Sequence, residues 1–219
     1  MINSISKFIS WVFLPLFVPI YGLLAVLFIP SKSFSFNLLD SLYYYPLEAK
    51  YLYLLLFTVF VVLAPGMSLI VLRLNKSISS LGMENREERS TPIAIMTFYC
   101  LVLYLFLIAQ KNTAMVPDII KGMALGGTIA SAAAYFINQK FKISLHSIGM
   151  GALVGFVFMY FTKMESFEIN LLLGIIIISG VVMSARMYLK AHNLKEIGFG
   201  YTLGVVSQII CIYFYSNLI

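Results

Sequence analysis

Charge is what this chain has least of. Lysine, arginine, aspartate and glutamate together make up 11% of 219 residues, against 61% apolar types. A soluble domain is nearer about 25% charged and about 45–50% apolar. No polar stretch is long enough to make a separate soluble domain, so the sequence reads as a single integral membrane domain, 1–219. The two cysteines, Cys100 and Cys211, both lie inside apolar runs. They offer no metal-ligand spacing and read as small buried hydrophobes rather than redox groups. No charge sits mid-span, which argues against a small transporter. The cations are scattered over short loops, which excludes a nucleic-acid footprint. The net charge of +6 suits anionic membrane lipids, although basic loops are ordinary in membrane proteins. There is no internal repeat and no low-complexity tail. Lys7 precedes an apolar run, as in a signal peptide, but no small-x-small cleavage pattern follows, so that run is expected to be a retained span.

What is abundant is long apolar sequence. A span needs about 20 apolar residues, and seven runs qualify: Phe8–Pro30, Tyr51–Leu72, Ile93–Ala109, Val116–Asn138, Ile143–Thr162, Ile169–Leu189 and Ile197–Tyr215. The expected fold is an all-α polytopic membrane helix bundle of about seven transmembrane helices (six to seven). Pro15 and Pro19 predict a kink in the first run. Tyr43, Tyr44 and Tyr45 read as an interfacial aromatic belt. Gly122, Gly126, Gly127, Ala130, Ser131 and Ala134 predict close helix packing in the fourth run. Gly149, Gly151 and Gly155 open the fifth helix to the approach of another helix or a bulky ligand. Before the third run, Lys76 to Thr91 is polar, and Thr91-Pro92 reads as a helix cap followed by a first-turn proline.

Only two histidines occur, His146 and His192. His192 lies in Ser184–Glu196, a polar cluster between two apolar runs that also holds Arg186 and Glu196. His192 and Glu196 are four apart, so on a helix they would share a face, and the carboxylate could fix the imidazole tautomer. Arg186 supplies a planar cation suited to phosphate. His146 stands in the first turn of the fifth run, beside Lys142 and Ser144. Two runs separate Arg89 from His146, and two more separate His146 from His192. All three polar clusters therefore emerge on one side of the membrane. Helix amino termini there carry free N–H groups and partial positive charge, and Arg86, Arg89, Lys142 and Arg186 add cations. These features together predict a phosphate-handling site.

The residues resemble the type 2 phosphatidic acid phosphatase superfamily, whose fold is shared with vanadium haloperoxidases. The chain looks like a divergent bacterial member. The family's third motif is Ser-Arg, five residues, His, three residues, Asp. Ala185-Arg186, five residues, His192, three residues and Glu196 fit that spacing. Its second motif, Pro-Ser-Gly-His, corresponds to Ile143-Ser144-Leu145-His146. Its first, Lys, six residues, Arg-Pro, corresponds most nearly to Arg89 and Pro92, with Arg86 in place of the lysine. The resemblance covers 84–204. Leu145 stands where the family has glycine, Glu196 where it has aspartate, and Pro92 lies three residues after Arg89.

The resemblance implies a metal-independent hydrolase without a cofactor, acting on a lipid phosphate or polyprenyl diphosphate within the bilayer. By the family's mechanism, His192 would attack phosphorus to form a phosphohistidine, oriented by Glu196. His146 would protonate the leaving alkoxide and then activate water. Arg86, Arg89, Lys142, Ser144 and Arg186 would hold the phosphoryl oxygens. Two other readings stand beside it: a catalytically impaired relative that binds or transports an anionic lipid, and a metal-dependent membrane hydrolase with His146, His192 and Glu196 as ligands. The expected location is the bacterial inner membrane. A count of loop cations leaves the orientation open, and the resemblance favours an outward-facing site.

Overall fold

The computed structural model describes residues 2–33, 41–80, 86–110, 116–165 and 167–217. Glu84, at the edge of the motif-bearing half, lies outside them. The described residues contain nine α-helices and no strand: α1 (Ile2–Val12), α2 (Val18–Phe28), α3 (Leu47–Phe57), α4 (Ala64–Leu74), α5 (Ser90–Ile108), α6 (Asp118–Asn138), α7 (Leu145–Phe161), α8 (Ile169–Tyr188) and α9 (Leu194–Asn217). Five helical segments are long and apolar enough to cross a membrane: Leu47–Leu74, Glu87–Ile108, Asp118–Asn138, Ile169–Tyr188 and Leu194–Tyr215. Val18–Phe28 and Leu145–Phe161 are shorter apolar helices. The protein is an all-helical, multi-pass membrane bundle.

The first apolar run is not one kinked span. It is two helices joined by turns at residues 13–17, because Pro15 has no N–H to continue the ladder of α1 and Pro19 sits in the first turn of α2. Helix α1 is inside-out: Ser6 and Ser10 are buried, while Ile2, Ile5, Phe8 and Trp11 face outward. That arrangement suits a helix with lipid rather than water on its outer side. The second run is continuous from Leu47 to Leu74 but passes through a π-helical stretch, Thr58–Leu63, between α3 and α4. Helix α5 is led by a 3₁₀ turn, Glu87–Arg89, so Thr91 lies inside the helix and is not its cap.

Helix α7 is the hub, with burial nearly all round its circumference, and α9 lies against it. The contact is glycine on backbone. A Cβ on Gly155 would come 2.7 Å from the Val205 carbonyl, and one on Gly200 would come 2.7 Å from the Ser144 carbonyl. Gly151 and Gly204 are as tightly faced, by the backbone of Tyr201 and of Ile148 respectively. Each helix thus carries a Gly-x-x-x-Gly pair, the arrangement that lets two membrane helices touch along their main chains. Gly122 of α6 abuts Ile212 of α9 in the same way, at 2.9 Å from its Cα. The small residues of the fourth and fifth runs are therefore largely used for helix packing. At the end away from the histidines, Lys32 and Glu165 pair at 2.8 Å, and Tyr160 joins Ser31 through 2.8 Å hydrogen bonding.

Candidate active site

Helix α8 ends in a Schellman turn. Ala191 N–H bonds to Arg186 O at 3.1 Å, Lys190 N–H bonds to Met187 O at 2.9 Å, and Lys190 takes the left-handed conformation at φ 54°. Asn193 then starts α9: its Oδ1 accepts the Glu196 N–H at 3.0 Å, and its Nδ2 donates to Glu196 Oε1 at 2.9 Å, a reciprocal cap. Between the two caps stands His192. It is not on a helix, so it meets Glu196 across a helix start and not along a helix face. The contact is close nonetheless, with Nδ1 2.6 Å from Glu196 Oε2.

That bond assigns the tautomer. A carboxylate only accepts, so Nδ1 carries the proton and Nε2 keeps its lone pair. Facing Nε2 at 3.5 Å is Nη1 of Arg89, a side chain only 4% exposed whose Nη1 also donates to Ile143 O at 3.2 Å. His192 itself is 7% exposed. Burial pushes its pKa down, to about 3, helped by the nearby charges of Arg89, Arg186 and Lys142. Burial and the three cations thus favour the neutral form of the ring.

The second histidine comes to the same end of the bundle. His146 Nε2 lies 3.0 Å from Ser10 O. A carbonyl only accepts, so this nitrogen carries the proton and Nδ1 is left as the base. Arg186, His192 and Arg89 are all within electrostatic reach of His146. The two histidine segments are joined directly: Ser144 N–H donates to Glu196 O at 3.3 Å, across the glycine-packed α7–α9 contact. An open recess of about 370 Å³ lies over His192, lined by Lys142, Met187, Lys190, Ala191, Asn193 and Glu196.

Residues more than 100 positions apart thus converge. Arg89, Lys142, His146, Arg186, His192 and Glu196 are brought together. Arg86 is not among the cations that act on His192; its carbonyl accepts from the buried Asn138 amide at 3.1 Å. Ser144 is fully buried. Its Oγ accepts from Ser147 N–H at 3.3 Å and bonds Ser147 Oγ at 3.0 Å, so it serves as the cap of α7. His192 Nδ1 is held by Glu196 and its Nε2 faces the Arg89 guanidinium, while His146 Nε2 is held by the Ser10 carbonyl. Among the described residues, no group of three His, Cys, Asp or Glu side chains converges to hold a metal. Three contributors escaped the sequence reading: Asn193, Ser10 and Asn138. Asn193-x-x-Glu196 is a capping pattern visible in the sequence. A backbone carbonyl such as that of Ser10 leaves no sequence signal. Comparison with family models, curated proteins and solved structures finds no match.

Proposed function

We propose that the protein is a membrane phosphatase that hydrolyses a lipid phosphate or polyprenyl diphosphate through a phosphohistidine at His192, as the resemblance to the type 2 phosphatidic acid phosphatase superfamily implies. The observation that carries this reading is the setting of His192: Nδ1 is tied to Glu196 and Nε2 is faced by the Arg89 guanidinium, beside two more cations. An imidazole among cations is a poor place for its own proton and a good place for a phosphate anion. Bound phosphate would draw Arg89 from Nε2 onto its oxygens and free the nucleophile.

In the first step Nε2 of His192 forms a bond to phosphorus as the bond to the lipid oxygen breaks. The departing alkoxide takes a proton from His146, which binding of the anion among these cations helps to charge. Glu196 stabilises the positive imidazole ring that results. In the second step Nδ1 of His146 takes a proton from water, the water oxygen attacks phosphorus, and the N–P bond breaks to release inorganic phosphate. Arg89, Arg186 and Lys142 balance the equatorial oxygens throughout. Ser144 acts in this scheme as a helix cap, and Arg86 acts outside the first ring of contacts. The bundle would cross the bilayer six or seven times, with Val18–Phe28 and Leu145–Phe161 as the shorter elements, in the bacterial inner membrane with the site facing outward.

Phosphate release from a panel of lipid phosphates in detergent, by wild type and by His192→Ala, tests the proposal. Release that vanadate blocks, that a chelator leaves alone and that the variant lacks is the expected result. Binding of phosphatidic acid without any release would favour the impaired lipid-binding relative instead. Release that depends on a divalent metal would overturn the scheme.

A further inference from the structure

An apolar groove runs down the bundle beneath the histidines, and one residue of its wall, Gln208, carries a buried polar atom with no partner among the described residues. Its upper end is formed by Ile93, one turn below Arg89, and by Leu145, the residue before His146. Its walls are apolar down to Leu103 and Phe156. At that depth stands Gln208 of α9, 3% exposed. Its Nε2 donates to Met123 O at 3.2 Å, while its Oε1 finds no hydrogen-bond partner among the described residues. Gly126 makes room for this amide, since a Cβ there would lie 2.9 Å from Oε1. Next to it Gly127 lines the groove, and a Cβ added there would meet nothing within 4 Å. A buried acceptor left unpaired is unfavourable by about 1–3 kcal/mol, so a glutamine held in this oily wall calls for a donor that arrives with a ligand.

We infer that the groove holds one hydrocarbon chain of the lipid whose phosphate sits at His192, and that Gln208 Oε1 accepts a hydrogen bond from a hydroxyl or amide N–H carried on that chain. The inference rests on the phosphatase reading for the position of the head group. Twelve residues of α9 separate Glu196 from Gln208, which is about 18 Å of helix. The donor therefore lies deep on the chain, well away from the glycerol or alcohol end. A plain alkyl chain fits the walls but leaves Oε1 unpaired. The substrate class is a lipid phosphate with a hydroxylated or amide-bearing tail.

The test compares two phosphatidic acids, one with unsubstituted octadecanoyl chains and one with a hydroxyl near the twelfth carbon of a chain. Occupancy is read by native mass spectrometry of the detergent-solubilised protein, which does not require turnover, and phosphate release is read in parallel. Wild type is expected to bind the hydroxylated lipid roughly 2- to 10-fold more tightly, the ratio that one neutral hydrogen bond supplies. Gln208→Leu should erase the preference while still binding the plain lipid. Gly127→Leu, whose side chain grows into open groove and removes a helical glycine, should weaken binding of both lipids. Equal binding of the two lipids by wild type would overturn the inference, and Oε1 would then be held by water alone. A preference for the hydroxylated lipid without phosphate release would keep the groove assignment and defeat the phosphatase reading. His192-dependent release without the preference would do the reverse.

Discussion

Gly204→Ala adds one methyl group at the tightest point between α7 and α9, and its effect can be worked from the coordinates. The new Cβ would lie 2.6 Å from Ala152 N and closer still to the Ile148 carbonyl. Both obstacles are main chain inside a helix, so no side chain can swing away. Ordinary contact begins near 3.4 Å, and the two helices must therefore part by about 1 Å. The Ser144 N–H to Glu196 O bond, already 3.3 Å long, cannot survive that separation. Overpacking of this kind costs about 1–3 kcal/mol, and the lost bond adds about 1 kcal/mol. Alanine's better helix propensity returns at most about 1 kcal/mol. The net loss is about 1–3 kcal/mol, or roughly 2–12 °C in melting temperature for a chain of this size. Gly198→Ala is the control: it lies on the same helix, with nothing within 4 Å of its Cβ, and should melt at or slightly above wild type. Thermal unfolding in detergent reads both variants. If Gly204→Ala melts with or above the control, the backbone contact of α7 with α9 is not what joins the two histidine segments.

Glu196→Gln keeps an acceptor for Nδ1 but removes the charge that stabilises a positive His192, so phosphate release should fall about 10- to 100-fold, the worth of one charge-assisted bond, with a much smaller change in the substrate concentration giving half-maximal rate. The folded-state pKa of His192 lies below its unfolded value of 6.5. The unfolded chain therefore binds more protons between pH 6.5 and about 3, and stability must fall as pH falls through that window. The melting temperature should drop on acidification from pH 7 to pH 4, and His192→Gln should flatten that slope relative to wild type; an unchanged slope would contradict the assignment. Lys190→Gly relieves the left-handed strain at φ 54° and should raise stability by about 0.5–1 kcal/mol, measured by the same unfolding assay.

The gross fold could be read from hydropathy because lipid enforces it: a backbone inside a bilayer must be helical or closed, and five of the seven apolar runs map onto the five long helices among the described residues. The convergence of Arg89, His146 and His192 followed from counting crossings between them. What sequence could not supply was the local wiring. The first run broke at Pro15 because two prolines act together with a short second helix. The resemblance makes Ser144 a phosphate ligand through its place in the second motif, while the structure shows its Oγ capping α7. Arg86 stands for the lysine of the first motif in the resemblance, but it is Arg89, at the end of the 3₁₀ turn, whose guanidinium reaches the Ile143 carbonyl and His192. Gly200 and Gly204 carry the same Gly-x-x-x-Gly spacing as Gly151 and Gly155, which shows its meaning only once the facing helix is in place. Gln208 was hidden in an apolar run, where a single amide scarcely alters the hydropathy.

Helix α1 reaches the chemistry through one atom. Ser10 O is the only described hydrogen-bond partner of the His146 ring, and it belongs to a helix whose Ile2, Ile5, Phe8 and Trp11 are turned outward. The proton-carrying nitrogen of His146 is thus set by an element that packs on α8 through one face and turns its large apolar side chains outward on the other. A shift of α1 along α8 would move the Ser10 carbonyl and with it the orientation of that ring. Under the proposed mechanism, α1 would thus hold the ring that moves the proton.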